Sequence, residues 1–257
     1  MIDIEQFTYF ILILARMFGC VFFNQIFGRG NLPTIFKISL SMMLAITVYG
    51  LLPLQDDIVI TSIIEYALVV LKELFIGFII GHIINMFFSV VVLSGEITDM
   101  QIGMSMSQIY DPHSNVSVGV TGRFLNVFLV LLFFSARGHL SLIQIFITSC
   151  KLVKVGSFSI PKNLFFNMVE MFSQILVYAL KLALPILAVE IITEAGVGIL
   201  MKAIPNIQVF SVNVQLKLFI GLFLILVLVP SFSAFLENTL TLMFESIQNN
   251  LSILMTS

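Results

Sequence analysis

The chain has 257 residues, of which 59% are hydrophobic and 10% charged, with 26 Phe among them. Soluble domains carry about 25% charged residues, so this composition excludes a single water-soluble core and indicates a polytopic membrane protein. The formal net charge is −2 and its Lys and Arg are scattered, so no cation block is present to neutralise a nucleic-acid backbone or to grip acidic lipid.

The N-terminal MIDIEQ lacks the positive n-region and small-residue cleavage site of a removable signal peptide, so the first helix is expected to stay. That helix covers residues 7–23 and carries Arg16 in its middle, where a charge costs about 2.5 to 3.5 kcal/mol on insertion scales. Arg16 therefore needs a partner or an aqueous face. A turn-rich link, 24–33, holds Gly28, Arg29, Gly30 and Pro33 and leads to a second helix, 35–52, closed by Pro53 and Gln55-Asp56-Asp57. The two form a hairpin. The third apolar run, 63–93, is about 46 Å long as a helix, beyond a hydrocarbon thickness of about 30 Å, and must tilt, break or leave the bilayer. Within it Gly77 and Gly81 make a small-xxx-small pair one turn after Glu73, a pattern for close helix packing.

Residues 95–122 then form a polar island carrying Glu96, Asp99, Gln101, Gln108, Asp111 and His113. In a chain of hydrocarbon-like segments such a stretch must meet water, a partner or a pore. Glu96, Asp99, Gly103 and Ser107 recur at i, i+3, i+7 and i+11, which puts two carboxylates, a gap and a hydroxyl on one helical stripe beside Ile97, Met100 and Met104. Spacing alone leaves two readings open: a solvated interfacial helix with an ordinary loop, or a lining element of a protein assembly. Pro112 disfavours helix at Asp111, so the chain should turn there.

Two short runs follow, 124–136 and 140–150, split at Arg137-Gly138-His139. Each is below the roughly 17 residues of a spanning helix, as in a re-entrant or protein-buried hairpin. A link with Lys151, Lys154 and Lys162 leads to a long helix from 165 to about 202 that contains Lys181, Pro185, Glu190 and Glu194; Pro185 is expected to kink it. A last strong run, 212–236, precedes an amphipathic tail, 237–254. The fold class is thus all-α, a multi-helix membrane-associated chain with kinked and broken helical hairpins. The Arg29/Lys37 and Lys151 to Lys162 links both look cytoplasmic, yet a six-helix count puts them on opposite sides. Overlong helices, short helices and charges in apolar runs are together expected where helices pack on protein more than on lipid.

Chemistry has little to work with. No HExxH, GxGD or GxSG occurs and no nucleophile has a base at helical spacing, so the paired carboxylates do not indicate an enzyme, and neither a metal nor a cofactor is expected. His82 reads as a core or interface histidine and His139 as a turn cap. Cys20 and Cys150 read as buried small side chains. Glu190 and Glu194 share a helix face and, being like charges, require water or a cationic partner. An ion-coupled secondary transporter using Glu190, Glu194 and Asp99 is the rival reading, but no inverted repeat supports it.

Several stretches in order carry a resemblance: RMFGCVFF (16–23), the link ending Asn31-Leu32-Pro33, KELFIGFIIG (72–81) and GEITDMQIGMSMSQIYDP (95–112). The RGH turn (137–139), GVG (196–198) and IPNIQVFSVNVQLKLFIGL (204–222) continue it. Together they resemble the FliR family of flagellar type III export-gate proteins over nearly the whole chain, with the injectisome export-apparatus counterpart as alternative. Lys202 and Asn206 stand where the family pattern leads to an Arg and a Gln, which keeps charge and amide character.

The resemblance implies one export-gate domain over 1–257, packed with FliP-like and FliQ-like subunits in a helical hetero-oligomer. Its place would be the bacterial inner membrane at the flagellar basal body, with other type III export-apparatus membrane proteins, lipid and unfolded export substrates as partners. It further implies that the island is a plug or gate, held by Gly95, Glu96, Asp99, Gln101 and Gly103, with Met104 and Ser107 filling the channel and Asp111-Pro112 at the tip. Arg16, Glu73, Glu190 and Glu194 are expected at subunit contacts.

Overall fold

The computed structural model describes residues 4–30, 32–52, 62–105, 119–156, 161, 163–203 and 209–255. These form helices and no strand: α1 (Ile4–Phe22), α2 (Thr34–Leu51), α3 (Ile63–Ile102), α4 (Val120–Ser135), α5 (Gly138–Leu152), α6 (Asn163–Ala203) and α7 (Val209–Met255). Four described helical stretches are long and apolar enough to cross a membrane, and a fifth if α4 and α5 count as one broken span.

The chain divides into two compact units, one of Met1–Phe87, Phe134–Glu170 and Leu240–Ser257, the other of Phe88–Phe133 and Met171–Thr239. In the first, α1 buries Tyr9, Leu12, Ile13, Arg16, Met17 and Cys20, the i, i+3, i+4, i+7 spacing of one helical face. Helix α2 answers with Ser41, Leu44, Ala45 and Val48, and Tyr49 packs its ring on Tyr9 and Phe10. The expected hairpin is present. Helix α3 approaches α1 through glycine: a Cβ on Gly77 would overlap the carbonyl of Arg16 and stand 2.7 Å from the amide of Cys20. Gly81 lies as close to Phe23, so both members of the small-xxx-small pair serve packing. The end of α7 joins this unit by an apolar stripe of Leu240, Met243, Ile247, Leu251 and Leu254, so the amphipathic tail is a continuation of α7 and not a separate element.

In the second unit, α4 buries Thr121, Gly122, Leu125, Leu129 and Phe133 at four-residue steps, with the Phe133 ring 6.3 Å from that of Phe88 on α3. Ile175, Ala179, Leu182 and Ile186 form a buried face of α6. Helix α6 continues through Pro185 and α7 through Pro230, each Pro removing one main-chain donor.

Of the alternatives open to the third apolar run, a break is not what occurs: α3 has 40 residues, about 60 Å, and takes in island residues 95–102. Nothing between Leu93 and Ile102 opposes helix, and Gly95 is held by packing. The helix expected through Met104 instead stops at Ile102, because Gly103 adopts φ 91° and its N–H closes on the Asp99 carbonyl, a left-handed glycine cap. The break at Arg137 is as expected, with φ 56° at that residue. His139 is no cap: Arg137 holds the N-cap position, and the His139 ring lies 5.3 Å from Phe134.

Candidate functional site

Asp99 lies in the last turn of α3 and is buried. Helix α4 begins at Val120, and the first N–H groups of a helix have no partner within it. Asp99 supplies the acceptors. The Thr121 N–H donates to Oδ2 at 3.1 Å and Oδ1 at 3.3 Å, and the Thr121 hydroxyl donates to Oδ1. A carboxylate here also faces the positive end of the α4 dipole. The main-chain carbonyl of Asp99 accepts the N–H groups of Gly103 at 3.1 Å and Ser105 at 3.3 Å. One residue therefore binds both the chain leaving α3 and the chain entering α4.

Glycine lets the two backbones come this close. A Cβ on Gly95 would overlap the main chain of Gly122, and one on Gly119 would overlap the Asp99 carboxylate. Gly95 is buried in this contact, Glu96 and Gln101 are half-buried, and Gly103 and Met104 lie in the turn beyond α3. Ser107, Asp111 and Pro112 lie outside the described residues, as does His113. Gly103 leaves the helical stripe that Glu96 and Asp99 begin. The part played by Thr121, Gly119 and Gly122 is not legible in the sequence, since Thr121 sits inside the first turn of α4 and donates to an acid 22 residues away.

In the first unit, Arg16 is fully buried at 0% exposure. Its Nε donates to Glu73 Oε2 at 2.6 Å, and its Nη1 donates to the carbonyls of Ser149 and Val153, each at 2.8 Å. Those carbonyls belong to the open end of α5, where a cation is favoured. Glu73 Oε1 accepts the Gly156 N–H at 2.8 Å. The pair thus ties α1, α3 and the exit of α5. Arg16 and Glu73, expected to face neighbouring subunits, instead face one another inside the chain, because the interior offers each a partner of opposite charge.

On α6, Glu194 finds its cation in Lys217 of α7 at 3.1 Å and remains half-exposed. Glu190 is buried, with neither carboxylate oxygen in a hydrogen bond. His82 is exposed and stacks on Phe78, not in the core. Cys20 and Cys150 are free and buried. Among the described residues no group of three or more His, Cys, Asp or Glu is placed to hold a metal ion.

Apolar helices of spanning length, with Arg16, Glu73 and Asp99 partnered inside them, define a multi-pass helical membrane protein. The chain belongs to the family described as bacterial export proteins, family 1, which it matches over residues 7–243. It is 29% identical over 215 residues to flagellar biosynthetic protein FliR of Buchnera aphidicola subsp. Acyrthosiphon pisum (strain APS), covering 84% of this chain and 83% of that protein. The FliR of Escherichia coli (strain K12) is 26% identical over 239 residues, 93% of this chain and 91% of that one. Yop proteins translocation protein T of Yersinia pestis is 26% identical over 209 residues, 80% of each.

Proposed function

We propose that this chain is a non-enzymatic subunit of the flagellar type III protein export gate in the bacterial inner membrane. It forms, with FliP-like and FliQ-like subunits, a plugged channel for unfolded flagellar proteins. Family membership and the similarity to FliR proteins support the export role. The observation that carries the gate reading is the Asp99 contact: it closes the base of the polar island by binding both ends at once. In this reading residues 95–122 are the gate segment of a single export domain, and residues 237–257 are its amphipathic end. The gate works by steric block and electrostatics, and other components supply the energy.

The test replaces residues 107–119 with a short Gly/Ser linker in a motile host lacking its own copy, and measures ion leakage and export of flagellar proteins. Leakage should rise. Asp99→Ala should raise it too, since Thr121 loses its acceptor, while Asp99→Asn keeps one carbonyl oxygen and should leak less. Unchanged leakage and export in the linker variant would remove the plug assignment. The similarity to the Yersinia protein favours a second reading, an injectisome export subunit. Restored motility in the flagellar host decides for the first reading, and restored effector secretion without motility for the second.

A further inference from the structure

Helix α6 buries Ile175, Ala179, Leu182 and Ile186 within the chain, and its opposite side carries a second pattern. Gln174, Lys181, Ala188 and Ala195 recur every seven residues and all are exposed. Val177, Leu184 and Ile191 stand three residues after the first three and are exposed as well. Gly198 takes the next place, with nothing within 4 Å of where its Cβ would be. Steps of three and four in turn, filled by apolar and small side chains, are the seam of two helices that pack in a left-handed crossing.

Lys181 decides what this seam meets. Its ammonium lies 5.6 Å from the centroid of the Tyr178 ring, and Tyr178 is itself braced by the Phe235 ring of α7. A cation–π contact offsets only part of what a lysine costs in an apolar helix. Among the described residues no carboxylate pairs with it. The flanking acids of α6, Glu170 and Glu190, stand 11 and 9 residues away, about 16 and 14 Å along the axis. Glu190 is also buried, half a turn round on the other side of the helix.

A lysine on an apolar helix can also reach lipid headgroups. Here exposed apolar side chains continue to Phe166 on one side of Lys181 and to Ile199 on the other, about 22 and 27 Å along the helix. With Lys181 at headgroup level, one of those lengths would stand in water. A partner helix covers both and brings an acid to the lysine. We propose that residues 174–198 of α6 pack along an apolar helix of a neighbouring export subunit, and that this helix carries an Asp or Glu that pairs with Lys181. The proposal rests on the export-gate reading and names the face and the chemistry of its partner. The pair also fixes the register, as a polar group within a heptad seam does, because a slip of one heptad leaves both charges unpaired.

The test places a photo-crosslinking residue at Leu184 of the full chain in its native membrane, where it should capture another protein subunit. Lys181→Met should lower recovery of the complex in mild detergent at least about tenfold, because the partner acid loses its counter-charge. Lys181→Arg should keep the complex. Lys181→Glu should abolish it, and changing the acid of the captured helix to Lys should bring it back. The isolated chain should unfold alike with Lys181→Met and without it, since the lysine touches one ring alone. A lowered midpoint would make Lys181 a structural residue of the monomer and overturn the proposal. Capture of lipid alone, a captured helix with no acid, or a complex undiminished by Lys181→Met would overturn it too and leave the export-gate reading standing. A wild-type chain recovered only as a monomer overturns both.

Discussion

Arg16 shows how one charged residue is tolerated at the centre of an apolar helix. The cost of burying a guanidinium is offset only when several acceptors surround it, and here Glu73 and two helix-end carbonyls do so. Removing one partner leaves the other charge stranded, so Arg16→Ala or Glu73→Ala should lower stability by about 3 to 5 kcal/mol. The double change Arg16→Met with Glu73→Leu strands no charge and should recover most of that loss. The Glu194–Lys217 pair stands in contrast, since Glu194 is half in solvent; exposed pairs contribute about 0 to 1 kcal/mol, so Lys217→Met should barely shift unfolding. Thermal unfolding in detergent, read by circular dichroism, checks both. A double variant no better than either single one would show that the loss comes from the hydrogen bonds to the exit of α5 and not from a stranded charge.

The turn between α4 and α5 makes a separate prediction. Arg137 holds φ 56°, where a residue with a Cβ costs about 1 to 2 kcal/mol relative to glycine. Arg137→Gly should therefore raise stability by about 1 kcal/mol, and Arg137→Val should lower it, read as opposite shifts of the unfolding midpoint. This break was legible in the sequence because Arg-Gly-His interrupts two short apolar runs. So was the need of Arg16 for a partner, but not the partner itself, which lies 57 residues on and is one acid among several until the helices pack. The partner of Asp99 was hidden for a related reason. Polarity from Gly95 onward calls for water, a partner or a pore, and Asp99 stays buried because Thr121, 22 residues later, completes its hydrogen bonds. Periodicity reports which face is apolar; it does not report which polar side chain finds its complement across the fold.

The apolar surface of the molecule is divided unevenly, and this bears on what the chain does alone. In the most apolar stretch of α3, 67% of residues are buried by the chain itself, against 17% in that of α7. Ile35 and Met43 on α2, Phe166 and Ile192 on α6, and Phe219 and Leu226 on α7 are each at least two-thirds exposed. Lipid tails cover such faces without selectivity, whereas partner helices need small residues or polar groups at the contact. Gly196 and Gly198 on α6 offer that, since a Cβ at either would meet nothing within 4 Å, leaving backbone open to a neighbour beside the ion pair of Glu194 and Lys217. A chain placed in an export gate through that surface should co-purify in mild detergent with FliP-like and FliQ-like subunits, as a complex several times its own 28.7 kDa. Gly198→Leu should reduce the recovered complex while leaving the unfolding of the isolated chain unchanged, because the site is empty within the monomer. Recovery of the wild-type chain only as a monomer from its native membrane would count against the export-gate proposal as a whole. A complex that survives Gly198→Leu would instead move the contact to another of the exposed faces.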